Sequence, residues 1–291
     1  MRGVGEATSA ITVVNALSCG VGAAVGIALS TRATVELASD GTGRVPKAGP
    51  LAAAGATPVV QAALALAIGR FAPAGSVPVR VEISSTVPVG VGLKSSSAVA
   101  SAVVRAVANA AGRSPTAAQV AALAAEAGGA SGVSATGAYD DALAGLVDGV
   151  VVTDNRRDRL LERRPLDPGL AVALWIPSGT HPSVPSVAQR FWADGDAGRS
   201  AAEAARSGRF WEAMSENSEI VERAMGYSYR PLRQRLLEHG ALGAGTSGLG
   251  PALAAVGPRE RIGTLLGMFP RGQGRAIAVE FSRSGSGGGL P

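Results

Sequence analysis

"PVGVGLKSSSA", residues 88–98, decides the fold, because it places two glycines, a lysine and three serines between a predicted strand and a predicted helix. Residues 79–86 are rich in the β-branched side chains typical of strands, and residues 96–111 have a helical composition that stops at Gly112. Glycines let a backbone approach a ligand closely, and the N–H groups at a helix N-terminus bind anions. The stretch predicts a phosphate-binding loop; an ordinary tight turn before a serine-capped helix is the alternative.

The side chains of this loop favour the phosphate interpretation. Lys94 is one of only two lysines among 27 basic residues and supplies a positive charge. The hydroxyl group of Ser96 or Ser97 is suited to Mg²⁺ or to a phosphate oxygen, although simple helix capping is the alternative. The commonest nucleotide loop, G-x-x-x-x-G-K-[ST], is excluded, because Leu93 stands directly before the lysine.

Two further stretches are candidates for the same site. Residues 134–145, "SATGAYDDALAG", place Asp140 and Asp141 at the start of a short apolar helix. The two carboxylates are suited to the roles of proton acceptor and helix cap, or both to capping alone. Residues 243–256, "GAGTSGLGPALAAV", form a glycine-rich turn that leads into a strand.

The order of elements predicts two α+β layers rather than a doubly wound sheet. The charged stretch 156–164, "RRDRLLERR", is interpreted as a solvated connector between domains. The expected domains are residues 1–154, residues 155–282 and a flexible tail over residues 283–291. Further strands are predicted over residues 24–37, 149–155, 170–177 and 275–281, and further helices over residues 114–128, with Ser114 as N-cap, and over the long stretch 199–226.

Composition excludes several classes of function. Cys19 is the one cysteine and His181 and His239 are the two histidines, so a disulfide or a thiolate and imidazole metal cluster is excluded, and any metal is expected to have oxygen ligands. The net charge of +5 is scattered among acidic residues and only 4% of residues are aromatic, which argues against nucleic acid and suits a small anionic substrate. We expect a cytoplasmic protein that does not bind a membrane, because apolar runs are too short for a membrane helix or a signal peptide.

Taken together, the three stretches resemble the GHMP kinase superfamily, which includes galactokinase, homoserine kinase and mevalonate kinase. Residues 88–98 match its loop P-x-x-x-G-L-[GK]-S-S-[SA]-A, and residues 9–29, "SAITVVNALSCGVGAAVGIAL", and the late glycine turn match its outer motifs. Lys94, together with "TGAYDDA" at 136–142 and "VVTDN" at 151–155, looks like the archaeal type of shikimate kinase. The resemblance implies an N-terminal domain with a left-handed β-α-β unit, a ferredoxin-like C-terminal domain and ATP bound between them.

The resemblance also implies an activity, the transfer of the γ-phosphoryl group of ATP to the 3-hydroxyl of shikimate, in the pathway to chorismate and the aromatic amino acids. It implies Asp141 as the base, with Asp140 as the alternative, and an arginine for the substrate carboxylate. The roles it implies for further residues are as follows: ATP binding by Pro88, Val89, Gly90, Val91, Gly92, Leu93, Lys94, Ser95, Ser96, Ser97 and Ala98, Mg²⁺ binding by Ser97 and Glu126, and substrate binding by Asn15 and Tyr139. Asn15 is equally suited to fixing its own turn.

One residue departs from the family pattern, and several alternatives stay open. Leu249 stands where the third motif, S-G-T-G-P, has threonine, so a hydroxyl group is lost there. The first alternative is a sister kinase that acts on homoserine, mevalonate or a sugar. A non-catalytic sensor that binds ATP or a metabolite is the second, and a nucleic-acid role is the third. The oligomeric state is left open.

Overall fold

The computed structural model describes residues 1–38, 57–180 and 187–283, which form two antiparallel sheets with helices. The first sheet has the order β1-β2-β4-β5, and β3 pairs with the far half of β2. Because β3 and β4 are both antiparallel to β2, the helices between them connect two parallel strands. The strands of this sheet are β1 (Arg2–Val14), β2 (Val21–Ala38), β3 (Val77–Ser85), β4 (Val150–Asp154) and β5 (Arg159–Arg164).

Four helices accompany the first sheet and share a core with it: α1 (Pro58–Phe71), α2 (Ser95–Ala110), α3 (Ala117–Ala130) and α4 (Tyr139–Ala144). Helix α2 packs so closely on β1 that a Cβ atom at Gly3 or Gly5 would overlap the α2 backbone. The expected N-cap of α3 was wrong. Thr116 caps this helix in a reciprocal capping box with Gln119, and the helix continues past Gly128.

The second sheet has the order β7-β8-β6-β9, with every neighbouring pair antiparallel. Its chain order, strand, helices, two strands, helix and strand, is that of a ferredoxin-like domain, which confirms the expected C-terminal architecture. The predicted helix 199–226 is two helices, broken where Gly208 adopts a φ of 89°. The elements are β6 (Leu170–Pro177), α5 (Gly195–Arg206), α6 (Phe210–Met225), α7 (Arg230–Glu238), β7 (Gly243–Thr246), β8 (Leu253–Pro258), α8 (Ile262–Leu266) and β9 (Gly274–Val279), with 3₁₀ turns at Ala188–Asp194 and Arg259–Arg261.

The interpretation of residues 156–164 as a solvated connector was wrong. Most of this stretch is β5, an edge strand that pairs with β4 through the backbone, so its charged side chains remain at the surface. The first sheet therefore continues to Arg164, beyond the boundary expected at Asp154. Ile11 and Val25 of the first sheet share one core with Phe210 and Met214 of α6, so the two parts pack as one body. The division into two domains stays a proposal.

Some predictions fall on residues that the structure does not describe. His181 and nearly all of the tail over residues 283–291 lie outside the described residues. Within the part of the chain that is described, no helix has the length and apolar character needed to cross a membrane.

Candidate active site

The three motifs meet at a cavity of about 340 Å³. Its walls come from the loop before α2, the turn before α4, the turn after β1 and the glycine-rich turn after β7. The residues that the argument below uses are Asn15, Leu17, Gly90, Gly92, Lys94, Ser96, Ser97, Asp140, Asp141, Gly248 and Leu249. Stretches far apart in sequence therefore supply one site.

The loop before α2 has three residues in the left-handed region. Gly90 has a φ of 73°, Gly92 has 85° and Lys94, the N-cap of α2, has 59°. A side chain at Gly92 would overlap the backbone carbonyl of Ser247, so this position excludes any Cβ atom. Eight of the eleven residues predicted to bind ATP line the cavity; Pro88, Val91 and Ala98 do not.

Hydroxyl groups from two other segments hold this loop by its carbonyls. Ser9 Oγ donates to the carbonyl of Leu93 at 2.6 Å, and Ser247 Oγ donates to that of Gly92 at 2.8 Å. Thr12 Oγ1 accepts a hydrogen bond of 2.8 Å from the backbone N–H of Gly248. The glycine-rich turn after β7 thus holds the loop before α2 in place through hydrogen bonds. Sequence reasoning assigned no role to Ser9, Thr12 or Ser247, although all three lie within the quoted motifs.

The two aspartates lie side by side at the start of α4, and both face the cavity. Asp141 Oδ1 lies 2.9 Å from Lys94 Nζ, and the two side chains are only 10% and 11% exposed. Asp140 Oδ1 accepts a hydrogen bond of 2.6 Å from Asn155 Nδ2. Gly22 on β2 leaves the space that the Asp140 carboxyl occupies, because a Cβ atom there would overlap it. Asn155 is a site residue that sequence reasoning quoted in "VVTDN" without giving it a role.

The environment of Asp140 changes its titration. Burial, together with the charge of Asp141, raises the pKa of Asp140 to about 7, although Lys94 and the hydrogen bond from Asn155 lower it. The floor of the cavity therefore holds two carboxylates with one ammonium group. Asp141 forms the ion pair, and Asp140 is the carboxyl that exchanges a proton near neutral pH.

This shift predicts a pH-dependent stability. The folded protein holds the Asp140 proton up to about pH 7, whereas the unfolded chain releases it near the ordinary value of 3.8. The stability that the protonated group contributes is complete below that ordinary value and is lost as the pH rises through about 7. The wild type should lose this stability between pH 5 and pH 8, whereas Asp140→Asn should not. The free energy of unfolding of the variant, relative to that of wild type, should therefore be higher at pH 8 than at pH 5 by on the order of 2 kcal/mol. Urea unfolding of both proteins at the two pH values measures this gain; an equal difference at both would show that Asp140 is ionised throughout.

The structure brings one of the two predicted substrate residues to the cavity. Asn15 lines it, with Oδ1 accepting from Leu17 N at 3.0 Å and Nδ2 donating to the Gly248 carbonyl at 3.2 Å. The side chain of Asn15 thus fixes its own turn and forms a hydrogen bond with the glycine-rich turn after β7. Tyr139 is 2% exposed within the first core and does not line the cavity. Its burial, aided by Asp158, raises the pKa of its hydroxyl group.

The predicted metal ligands separate in the same way. Ser97 lines the cavity, but Glu126 is exposed on α3 and does not line it. Glu126 lies close enough to Asp158 to help burial raise the pKa of that carboxyl. Across the described ranges, no cluster of three or more histidine, cysteine, aspartate or glutamate side chains is arranged to hold a metal ion.

Leu249, the departure from the third motif, has a packing role. Its side chain is 4% exposed, belongs to the small apolar core that contains Phe191 and Ile220, and lines the cavity. Tyr227 donates a hydrogen bond of 2.8 Å to its carbonyl. The buried apolar side chain of Leu249 thus occupies the position at which the third motif has the hydroxyl group of threonine.

Comparison with known proteins places this geometry in a family. Residues 58–149 match the GHMP kinase N-terminal domain. The shikimate kinase of Pyrococcus abyssi is 36% identical over 88% of this chain and 92% of its own length. The shikimate kinase of Methanosarcina mazei is 32% identical over 98% of this chain and 96% of its own length, and that of Halobacterium salinarum is 35% identical over 90% of each.

This chain belongs to the GHMP kinases. Within them it groups with the archaeal shikimate kinases, because these relatives match nearly the full chain. Solved structures confirm the fold. The mevalonate kinase of Methanococcus jannaschii superposes with a TM-score of 0.71 at 12% identity, covering 97% of this chain and 99% of its own. The homoserine kinase of Cytophaga hutchinsonii gives 0.67 at 17% identity, covering 97% and 96%.

Proposed function

We propose that this GHMP kinase transfers the γ-phosphoryl group of ATP to the 3-hydroxyl of shikimate. The observation that carries the proposal is the Lys94–Asp141 ion pair, which joins the glycine loop to the acidic pair across one cavity. The similarity to shikimate kinases over nearly the whole chain supports the choice of acceptor. The cytoplasm as the site of this reaction is part of the same proposal.

The loop fits a triphosphate, because Gly90 and Gly92 leave no side chain between backbone and ligand and the loop opens the N-terminus of α2. In the proposal, Lys94 neutralises the charge that develops on the transferred phosphoryl group. Mg²⁺ bound to the phosphates would withdraw charge from them, and Ser97 is the residue proposed to hold it. Glu126 is left out of this proposal, because it does not line the cavity.

Asp141 is the proposed base. Its carboxylate faces the cavity and lies 2.9 Å from Lys94 Nζ, whereas Asp140 is hydrogen-bonded to Asn155 and is partly protonated near neutral pH. In the reaction, Asp141 accepts the proton of the attacking hydroxyl while the hydroxyl oxygen bonds to the γ-phosphorus. The bond from that phosphorus to the β–γ bridging oxygen breaks, and ADP leaves with the electron pair.

In the proposal, the acceptor lies at the part of the cavity that Asn15, Leu17 and the Gly248–Leu249 turn line. Lys94 is the one cation among the described residues that line the cavity. An arginine for the substrate carboxylate therefore stays a prediction, to be sought outside this lining.

An ADP-release assay with ATP and Mg²⁺ tests the proposal on shikimate, homoserine, mevalonate and galactose. Turnover with shikimate alone is the expected result. Turnover with another acceptor alone would replace the proposed substrate by that of a sister kinase. Binding of ATP without turnover on any acceptor would overturn the kinase proposal in favour of a sensor.

Gly92→Ala is expected to weaken ATP binding by at least about tenfold, because the new Cβ would overlap the Ser247 carbonyl and displace the loop. Titration calorimetry with a non-hydrolysable ATP analogue measures the loss. Gly112→Ala is the matched control, since Gly112 also has a positive φ, of 66°, but has open space around it. Equal affinity in both variants would mean that the loop does not bind the triphosphate.

A further inference from the structure

Strand β3 is an unusually open edge of the first sheet. Among the described strands, β2 alone pairs with it, and the residues from Val79 to Thr86 are exposed except Val81. Val79 is 51% exposed and Ile83 is 36% exposed, which places both among the large apolar side chains that face solvent. An unpaired strand with apolar side chains is a template for pairing with another strand.

The two faces of β3 differ in character. Val81 lies opposite the buried Val35 of β2, and Ile83 lies opposite the buried Ala33. These odd-numbered positions therefore face the side of the sheet that carries the helical core. Arg80 and Glu82 face the other side, and they contact each other with 60% and 51% of their side chains exposed.

We propose that two copies of this chain pair through β3, antiparallel about a two-fold axis at Val81. In an antiparallel pair, residues that lie opposite each other point to the same face of the sheet. A symmetric pairing of two identical strands is therefore centred on one residue, which lies opposite the same residue of the other copy at the two-fold axis. Centring on Arg80 or on Glu82 sets like charges opposite one another. Centring on Val81 sets Arg80 of one copy opposite Glu82 of the other, twice.

The same register joins the exposed apolar residues. Val79 is the extra residue of a bulge, because Arg80 pairs with Glu36 and Pro78 with Leu37. In this register Ile83 of one copy comes next to the bulge at Val79 of the other, on both sides of the axis, and both side chains are open to water in the single chain. The existing contact between Arg80 and Glu82 is a weak surface pair, so exchanging partners across the axis costs little. In this register, the edge of β3 is thus self-complementary both in the positions of its apolar side chains and in the positions of its charges.

Sedimentation velocity on the full chain over a range of concentrations tests the proposal. We expect a dimer that Arg80→Glu weakens about tenfold or more, because it sets glutamates opposite one another twice. Glu82→Arg should have the same effect with arginines. The double variant Arg80→Glu with Glu82→Arg restores opposite charges and should restore the dimer.

Mixing the two single variants provides the sharpest test, because a chain with two glutamates then meets a chain with two arginines. A heterodimer should form where neither variant alone dimerises. The matched control is reversal of the exposed pair Arg209 and Glu212 at the start of α6, which should leave dimerisation unchanged. A monomer at every concentration, or a dimer insensitive to both single reversals, would overturn the proposal.

Discussion

Asp141→Asn is expected to lower kcat about 10²- to 10⁴-fold, which is the range that a positioned general base contributes. The amide keeps the shape of the carboxylate but cannot accept the proton of the attacking hydroxyl. ATP affinity should stay the same or rise, because Lys94 loses the carboxylate that lies 2.9 Å away and becomes free to pair with phosphate. Steady-state kinetics with ATP and shikimate, together with ATP titration, separate the two effects.

Two variants serve as controls for this result. Asp196→Asn removes a carboxylate that is 96% exposed and paired with Arg199, and it should leave kcat unchanged. Asp140→Asn identifies the base. If its kcat falls further than that of Asp141→Asn, the two aspartates exchange their proposed roles.

Lys94→Met is expected to lower kcat/KM for ATP by about 10²- to 10³-fold, because one preorganised charge on the transferred group is lost. It should also destabilise the protein by about 3 kcal/mol at pH 8, since Asp141 is left buried without its counter-ion beside Asp140. This destabilisation should shrink at pH 5, where Asp140 is protonated and no longer repels Asp141. Kinetics and urea unfolding at both pH values measure these effects.

The double variant Lys94→Met with Asp141→Asn separates stability from catalysis. Removing both charges of the pair should recover most of the lost stability but none of the activity. Lys94→Arg tests geometry, because a guanidinium group is larger than the ammonium group held 11% exposed against Asp141. Full activity in Lys94→Met would show that the ion pair plays no part in phosphoryl transfer.

The sequence was informative where the chemistry is local. The positive φ angles of Gly90 and Gly92 and the start of α2 follow from residues 88–98, because turn geometry depends on adjacent residues. The adjacency of Asp140 and Asp141 is likewise a property of the chain. Strand β5 was missed, because four of its six residues are charged and its two adjacent leucines do not give the alternating apolar pattern of a half-buried strand.

Tertiary structure alone decided what these residues do together. The Lys94–Asp141 pair joins α2 to α4, and the hold of Ser247 on Gly92 joins residues 155 positions apart. The raised pKa of Asp140 depends chiefly on burial, which places its carboxyl against Gly22 and which no local pattern encodes. The sequence therefore determined where the glycines allow a positive φ in the loop and the types of reactive groups. Burial and charge pairing were decided by the packing of distant segments, because desolvation and Coulomb interactions depend on neighbours in space rather than in sequence.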